Sequence, residues 1–511
     1  MLAAEMFAQD FVPFPDFLRA HAGERPHEQA IADERERLDW QSFDARIDRV
    51  AARLQAEGIG RGDAVAIAGS NAIGYALAFI AAVRIGAAAA PLTASATPQA
   101  IAAMVADCGA RHLFLDTAMA EKLADTVLPP GLVRIAYDDG TAGEPLSRWM
   151  AEEGARPQPV AIDPADPFNI IYSSGTTGTP KGIVQSHRMR MGHIQHSHAW
   201  GYDQTARTII STPLYSNTTL VSFLPALAGG GRVVLMERFD ARRFCEIAEA
   251  ERITHAMLVP VQYRRIMALP DFDRFDLSSF RLKTCTSAPF SAELKAEVLA
   301  RWPGGLVDIY GMTEGGGTCL LFAHQHPDKL HTVGQPAPGQ DIRLIDENGR
   351  EVPPGEIGEV VGRSGMMMTG YRGLPTNTRE AEWHDAEGRR YIRHGDVGRF
   401  DADGFLILMD RAKDLIISGG FNVYPSDLEA ELAKNPAVVE AAVVGVASEE
   451  WGETPVAFVV LHDPAADPTA ILRDVNGRLG RTQRISAIRV VDELPRNQIG
   501  KVLKRELRER V

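Results

Sequence analysis

The chain has 511 residues, 45% of them hydrophobic and 24% charged, and its formal net charge is −13. That length exceeds one compact core and predicts several domains. The acidic balance argues against a nucleic-acid partner, which would draw on a basic stripe, and Cys108, Cys245, Cys285 and Cys319 match neither a CxxC pair nor a zinc site.

Sparse cysteines predict a reduced, cytoplasmic protein. The opening MLAAEMFAQDFVPFPDF lacks the basic start of a secretory signal. Apolar residues at helical spacing then predict a helix over 42–57, followed by a strand from Ala64 to Ala68. The run from Ala72 to Pro91 is about long enough to span a bilayer. Arg84 inside it and its small residues favour a buried core helix instead, so no membrane span is expected. A helix around 99–107 follows Pro98, and His112 to Leu115 reads as a strand. This alternation predicts an α/β large domain of layered, mostly parallel sheets.

The Pro- and Asp-rich segment 156–166 reads as a connector into a strand from Asn169 to Tyr172. Further strands are expected at 208–211, 232–235 and 282–284. From 333 to 410 the pieces DIRLID, GEVVGR and FLILMD predict a β-rich subdomain. Ser426 and Glu429 then stand at capping-box spacing before a helix to about Lys434. Strands at 441–446 and 456–461 and a helix at 469–479 complete the chain. The expected division is a large domain over 1–410 and a small, mobile α+β domain over 411–511.

From Tyr172 to Gly182 the sequence reads YSSGTTGTPKG. Glycines let backbone N–H groups face an anion, hydroxyls add rotatable donors, and Lys181 adds a point charge. The loop suits a polyphosphate, but Pro180 precedes Lys181 and Gly182 follows it, so the Walker order GK[ST] is missing. Downstream come TSAPF (286–290), DIYGMTE (308–314), HGD (394–396), DRAKD (410–414) and PRNQIGK (495–501). These strings, in this order, resemble the adenylate-forming superfamily of acyl-CoA synthetases, peptide adenylation domains and beetle luciferases. The resemblance covers nearly the whole chain.

By that resemblance Ser173, Ser174, Gly175, Thr176, Thr177, Gly178 and Lys181 would hold the phosphates of ATP. Ser287, Ala288 and Pro289 would line the adenine, beside Asp308, Tyr310 and Gly311. Asp396 and Arg411 would reach the ribose, Thr313 the α-phosphate, and Glu314 with Thr176 a Mg²⁺ ion. Lys501 would be the catalytic lysine of adenylation, and Lys413 the hinge. Gly419, Gly420, Trp451 and Arg484 would meet CoA. Tyr215, Ser216, Ile309, Gly315 and Gly316 would line the acyl pocket, where Ile309 resembles the 4-chlorobenzoate-CoA ligase pattern and Gly315 to Gly317 suggest open space.

Three departures stand out: Ser287 for a glycine, His394 for a threonine and Ser216 for a histidine. The implied activity is acid–CoA ligation through an acyl-adenylate, on a fatty or aromatic monocarboxylic acid. Alternatives are a stand-alone enzyme loading a carrier protein and a catalytically inactive nucleotide-binding regulator. A homo-oligomer is left open. His187 reads as a helix-start residue, and His193, His196 and His198 as a polar helix face rather than a metal site.

Overall fold

The computed structural model describes residues 2–172, 180–411, 414–418, 421–448, 451–480, 483–497 and 500–511. Among these residues the strands form four sheets. In the first, Gly305–Gly311, Leu282–Cys285, His255–Leu258, Arg207–Ile210, Arg232–Leu235 and Gln29–Ala32 lie side by side and parallel. In the second, Pro167–Tyr172, Ala88–Pro91, Ala64–Ala68, His112–Leu115 and Val133–Ala136 are likewise parallel. Such sheets are covered on both faces, which accounts for their near-continuous apolar strands. The largest apolar core joins Ile67 and Phe114 of the second sheet to Ile210 and Leu235 of the first. Helices Phe14–Glu24, Trp40–Ala56, Ile73–Arg84 and Asn217–Ala228 supply Phe17, Ile47, Phe79 and Leu224 to it.

The Ala72 to Pro91 run divides into the helix Ile73–Arg84 and the strand Ala88–Pro91. No helix among the described residues is long and apolar enough to cross a membrane. Arg84 is buried because the helix Trp40–Ala56 brings Asp44 and Asp48 to it, at 2.5 and 2.8 Å.

The β-rich segment forms an antiparallel sheet of Asp341–Ile345, Gly358–Arg363, Glu382–His384, Arg390–Phe400 and Leu406–Arg411. A separate sheet carries the small α+β domain, built on the long hairpin Val438–Ser448 and Gly452–Leu461. The chain thus has a large α/β domain followed by a small α+β one.

The capping box is not formed. The helix starts at Pro425, with Tyr424 as its cap, so Ser426 lies inside the first turn. The Ser426 hydroxyl donates to the Met409 carbonyl, and Glu429 accepts from the Val443 N–H and pairs with Lys504. Pro at the first helical position is preorganised for a start there, and tertiary partners take both side chains.

Candidate active site

The motif residues gather where the parallel strands of the first sheet end. Strand Leu282–Cys285 runs into Thr286 and Ser287, and Gly305–Gly311 runs into Met312 to Glu314. Thr286 Oγ1 donates to the Ile309 carbonyl at 2.7 Å, tying the two strand ends together. Ser287 has φ +81°, so a serine occupies the left-handed conformation that favours glycine. Its hydroxyl is 2.5 Å from Thr218 Oγ1 at the start of the helix Asn217–Ala228.

Tyr310 donates from its hydroxyl to Asp396 Oδ2 at 2.8 Å, joining the end of the first sheet to the β-rich sheet. Register pairs Asp396 with Arg411 across adjacent strands. His394 stacks on Tyr310, with ring centroids 5.3 Å apart, and its Nε2 lies 2.7 Å from the Gly316 carbonyl. The substitution of His for Thr therefore ties the ring beside the nucleotide motif to the glycine segment.

Glu314 Oε1 accepts from the Tyr371 hydroxyl at 2.8 Å. Burial, with Glu314 alongside, pushes the Tyr371 phenol well above its ordinary value, so it stays a donor. Lys181 Nζ lies over the Tyr371 ring, 5.3 Å from its centroid. A carboxylate fixed in this way is a hard oxygen donor that fits Mg²⁺. The expected partner Thr176 lies outside the described residues, as do Ser173, Ser174, Gly175, Thr177 and Gly178.

The Thr313 carbonyl accepts from Gln185 Nε2 at 2.6 Å. Gln185 is fully buried with Asn169 and Arg190. Asn169 Nδ2 and Arg190 both donate to Gln185 Oε1, and Arg190 Nε donates to Asn169 Oδ1 at 2.7 Å. Burial pushes the Arg190 guanidinium down to about 9.

Two expectations change here. The Asp308 carboxylate is buried and meets Lys295 at 2.7 Å rather than facing the cleft. Lys295 also donates to the Leu330 and Thr332 carbonyls, so the pair is part of the packing behind the strand. The glycines do not leave open space either. A Cβ on Gly315 would stand 1.9 Å from the Met366 carbonyl, one on Gly316 2.7 Å from Ile392 Cβ, and one on Gly317 2.4 Å from Ile342 Cδ1. They are small because other chain segments press on them.

Tyr215 is buried with its hydroxyl 3.5 Å from Ser95 Oγ, and Ser216 stands at the N-cap position of the helix Asn217–Ala228 without a side-chain capping bond. Burial pushes the Tyr215 phenol up to about 12. His187 begins the helix His187–His198 and packs edge-on against Phe168. His193, His196 and His198 turn to different partners: Arg190, the Gly192 carbonyl and the Tyr202 carbonyl. No metal-binding cluster of His, Cys, Asp and Glu occurs among the described residues.

In the small domain Asn497 and Lys501 of the C-terminal motif hydrogen-bond to each other. The Lys501 N–H donates to Asn497 Oδ1 at 2.9 Å, and the Asn497 N–H to the Lys501 carbonyl at 3.0 Å. Gly500, at φ +77°, lies against the large domain, where a Cβ would stand 2.7 Å from Val261 Cγ1. Val261 follows the strand His255–Leu258, so the lysine turn docks at the same sheet edge as the other motifs. Trp451 lies at the tip of the long hairpin, and the exposed Arg484 lies before the strand Ala487–Val490 that runs parallel to Gly452–Leu461. Register places both at one end of the small sheet. Gly419, Gly420 and Lys413 lie outside the described residues.

Tyr371, Gln185 and Thr218 were not singled out by motif. Only Gln185 left a signal, as a polar residue inside an apolar strand of the GIVQSH string.

A fold of two large parallel sheets, a β-rich subdomain and a docked small domain, with these groups at one sheet edge, defines a nucleotide-handling enzyme scaffold. The chain belongs to the AMP-binding enzyme family: that family's description matches residues 18–372, and the AMP-binding enzyme C-terminal domain matches 427–501. It is 32% identical to the indoleacetate–CoA ligase of Aromatoleum aromaticum, over 97% of this chain and 98% of the relative. It is also 32% identical to the fatty acid–[acyl-carrier-protein] ligase ScoC of Streptomyces coeruleorubidus, over 96% and 95%. Among solved structures, ATP-bound MatB from Rhodopseudomonas palustris aligns with a TM-score of 0.86 at 28% identity, covering 97% of this chain and 98% of that one.

Proposed function

We propose that the protein is an ATP-dependent acid–CoA ligase working through an acyl-adenylate. A carboxylate oxygen of the acid attacks the α-phosphorus of ATP, the bond to the β-phosphate bridging oxygen breaks, and pyrophosphate leaves. The CoA sulfur then attacks the acyl carbon, its proton is lost, and AMP departs. The observation that carries this reading is the docking of the Gly500–Lys501 turn at the sheet edge that bears Tyr310, Thr313 and Glu314.

Two anions must meet in the first step, so positioning and charge neutralisation dominate. Lys501 bridges the carboxylate and the α-phosphate oxygens. Tyr310 packs against adenine, and Asp396 with Arg411 takes the ribose hydroxyls. Ser287, Ala288 and Pro289 shape the adenine turn, and Thr313 contacts the α-phosphate. The loop 173–181 grips the departing pyrophosphate. Glu314 and Thr176 would hold Mg²⁺, which supplies neutralisation of phosphate charge when bound. In the second step the small domain turns about Lys413 and brings Gly419, Gly420, Trp451 and Arg484 toward CoA.

The acid is a fatty or aromatic monocarboxylate. Pyrophosphate release across a panel of aromatic and fatty acids, with CoA and with a phosphopantetheinylated carrier protein, tests the reading. Acid-dependent release with acyl-CoA formed is the expected result. Thioester on the carrier protein alone would move the assignment to the carrier-loading reading suggested by the Streptomyces relative. Silence with every acid would leave the regulator.

A further inference from the structure

The two domains meet at several points: the Ser426 hydroxyl donates to the Met409 carbonyl, and Gly500 lies against Val261. Beside the Gly500 contact, a cavity of about 480 Å³ is lined by Val261 and Arg265 of the large domain and by Leu503 and Arg510 of the small one. A chain of paired side chains links the two domains near this cavity. Arg264, on the large-domain helix Pro260–Met267, pairs with Glu440 on the small-domain strand Val438–Ser448. The second Glu440 oxygen accepts from Arg496 Nη2 at 3.0 Å. Arg496 Nη1 donates to the Gly500 carbonyl at 2.7 Å, one residue before Lys501.

The geometry points to Arg264 and Glu440 as positioning residues for Lys501, forming a latch that holds the small domain in its lysine-inward orientation and serves the adenylation half-reaction alone. This rests on the two-step reading given above. One carboxylate with two oxygens links the large domain to the arginine that shapes the lysine turn, so docking and turn geometry are set together. The side chains of Arg264, Glu440 and Arg496 are 49%, 20% and 26% exposed, so the latch is partly solvated and can break. A strong buried pair would trap the orientation that the second half-reaction must leave. Partly exposed pairs contribute modestly, which suits a contact remade every turnover.

The test uses the full chain and an acid accepted by the wild type. Adenylation is followed by acid-dependent ATP–pyrophosphate exchange, and thioester formation by mixing CoA with the synthetic acyl-adenylate. Arg264→Ala is expected to lower exchange about five-fold and leave thioester formation unchanged or faster. Arg264→Lys should restore most of the exchange, and Glu440→Gln, which weakens both links, should lower it further. Equal losses in both half-reactions, or none in either, overturn the latch. A pair of distance labels across the two domains gives a readout without turnover: Arg264→Ala should broaden the distance distribution, and an unchanged distribution overturns the latch. Absence of exchange in the wild type with every acid counts against the proposed function instead, and the label experiment still decides the latch.

Discussion

Ser287 has φ +81°, where an L side chain crowds its own backbone at a cost of about 1–3 kcal/mol. The hydroxyl contact with Thr218 offsets part of this cost. Thr218→Val is therefore expected to destabilise the fold by about 1 kcal/mol, and Ser287→Gly to be neutral or nearly so. Thermal melts of both variants check this, and a Thr218→Val protein as stable as wild type would show that the contact contributes nothing. Gly315 carries the opposite constraint. At φ +75°, with the Met366 carbonyl 1.9 Å from any added Cβ, Gly315→Ala strains the backbone and overlaps it. The variant should lose stability by several kcal/mol rather than simply narrow the acid range. A folded Gly315→Ala enzyme with a mere shift in acid preference is the contrary result, readable from its melting point and the acid panel.

The helix Ile73–Arg84 is apolar on all sides, as a helix between two sheets must be. Its last residue is the exception, since Arg84 sits buried against Asp44 and Asp48. Arg84→Met fits the space but leaves Asp44 as a partly buried carboxylate without its cation, while Asp48 keeps Arg19 at 3.1 Å. The expected loss is about 3–5 kcal/mol, with part of it restored by adding Asp44→Asn. Urea unfolding of the single and double variants measures both steps. Elements such as Ala64–Ala68 and Arg232–Leu235 were legible in the sequence because short apolar runs stand between polar or glycine punctuation. The strand Ala88–Pro91 was not, because its alanines continue the composition of the helix before it. The motif residues Tyr310, Glu314 and Asp396 were likewise legible as strings. Their partners were not: Tyr371 holds Glu314 from 57 residues away and Gln185 holds Thr313 from 128, and no local spacing encodes such pairs. Asp308 lies in the same string as Tyr310 and Glu314, yet the pleat turned its carboxylate to Lys295.

Across the whole molecule, Lys501 and the loop 173–181 come from distant stretches of the chain and from different domains. The proposed chemistry needs Lys501 only while negative charge is redistributed around the α-phosphate. Once the adenylate exists, the same lysine has no task in sulfur attack on the acyl carbon. Lys501→Ala should therefore cut ATP–pyrophosphate exchange by at least about 10²-fold, the scale of losing one preorganised charge at a developing transition state. Thioester formation from a supplied acyl-adenylate should stay within a few-fold of wild type. Gly500→Ala tests the docking rather than the charge: its Cβ would press on Val261, so exchange should fall with Lys501 intact. If both variants depress both half-reactions equally, the small domain does not alternate between tasks, and Lys501 serves a single fixed site.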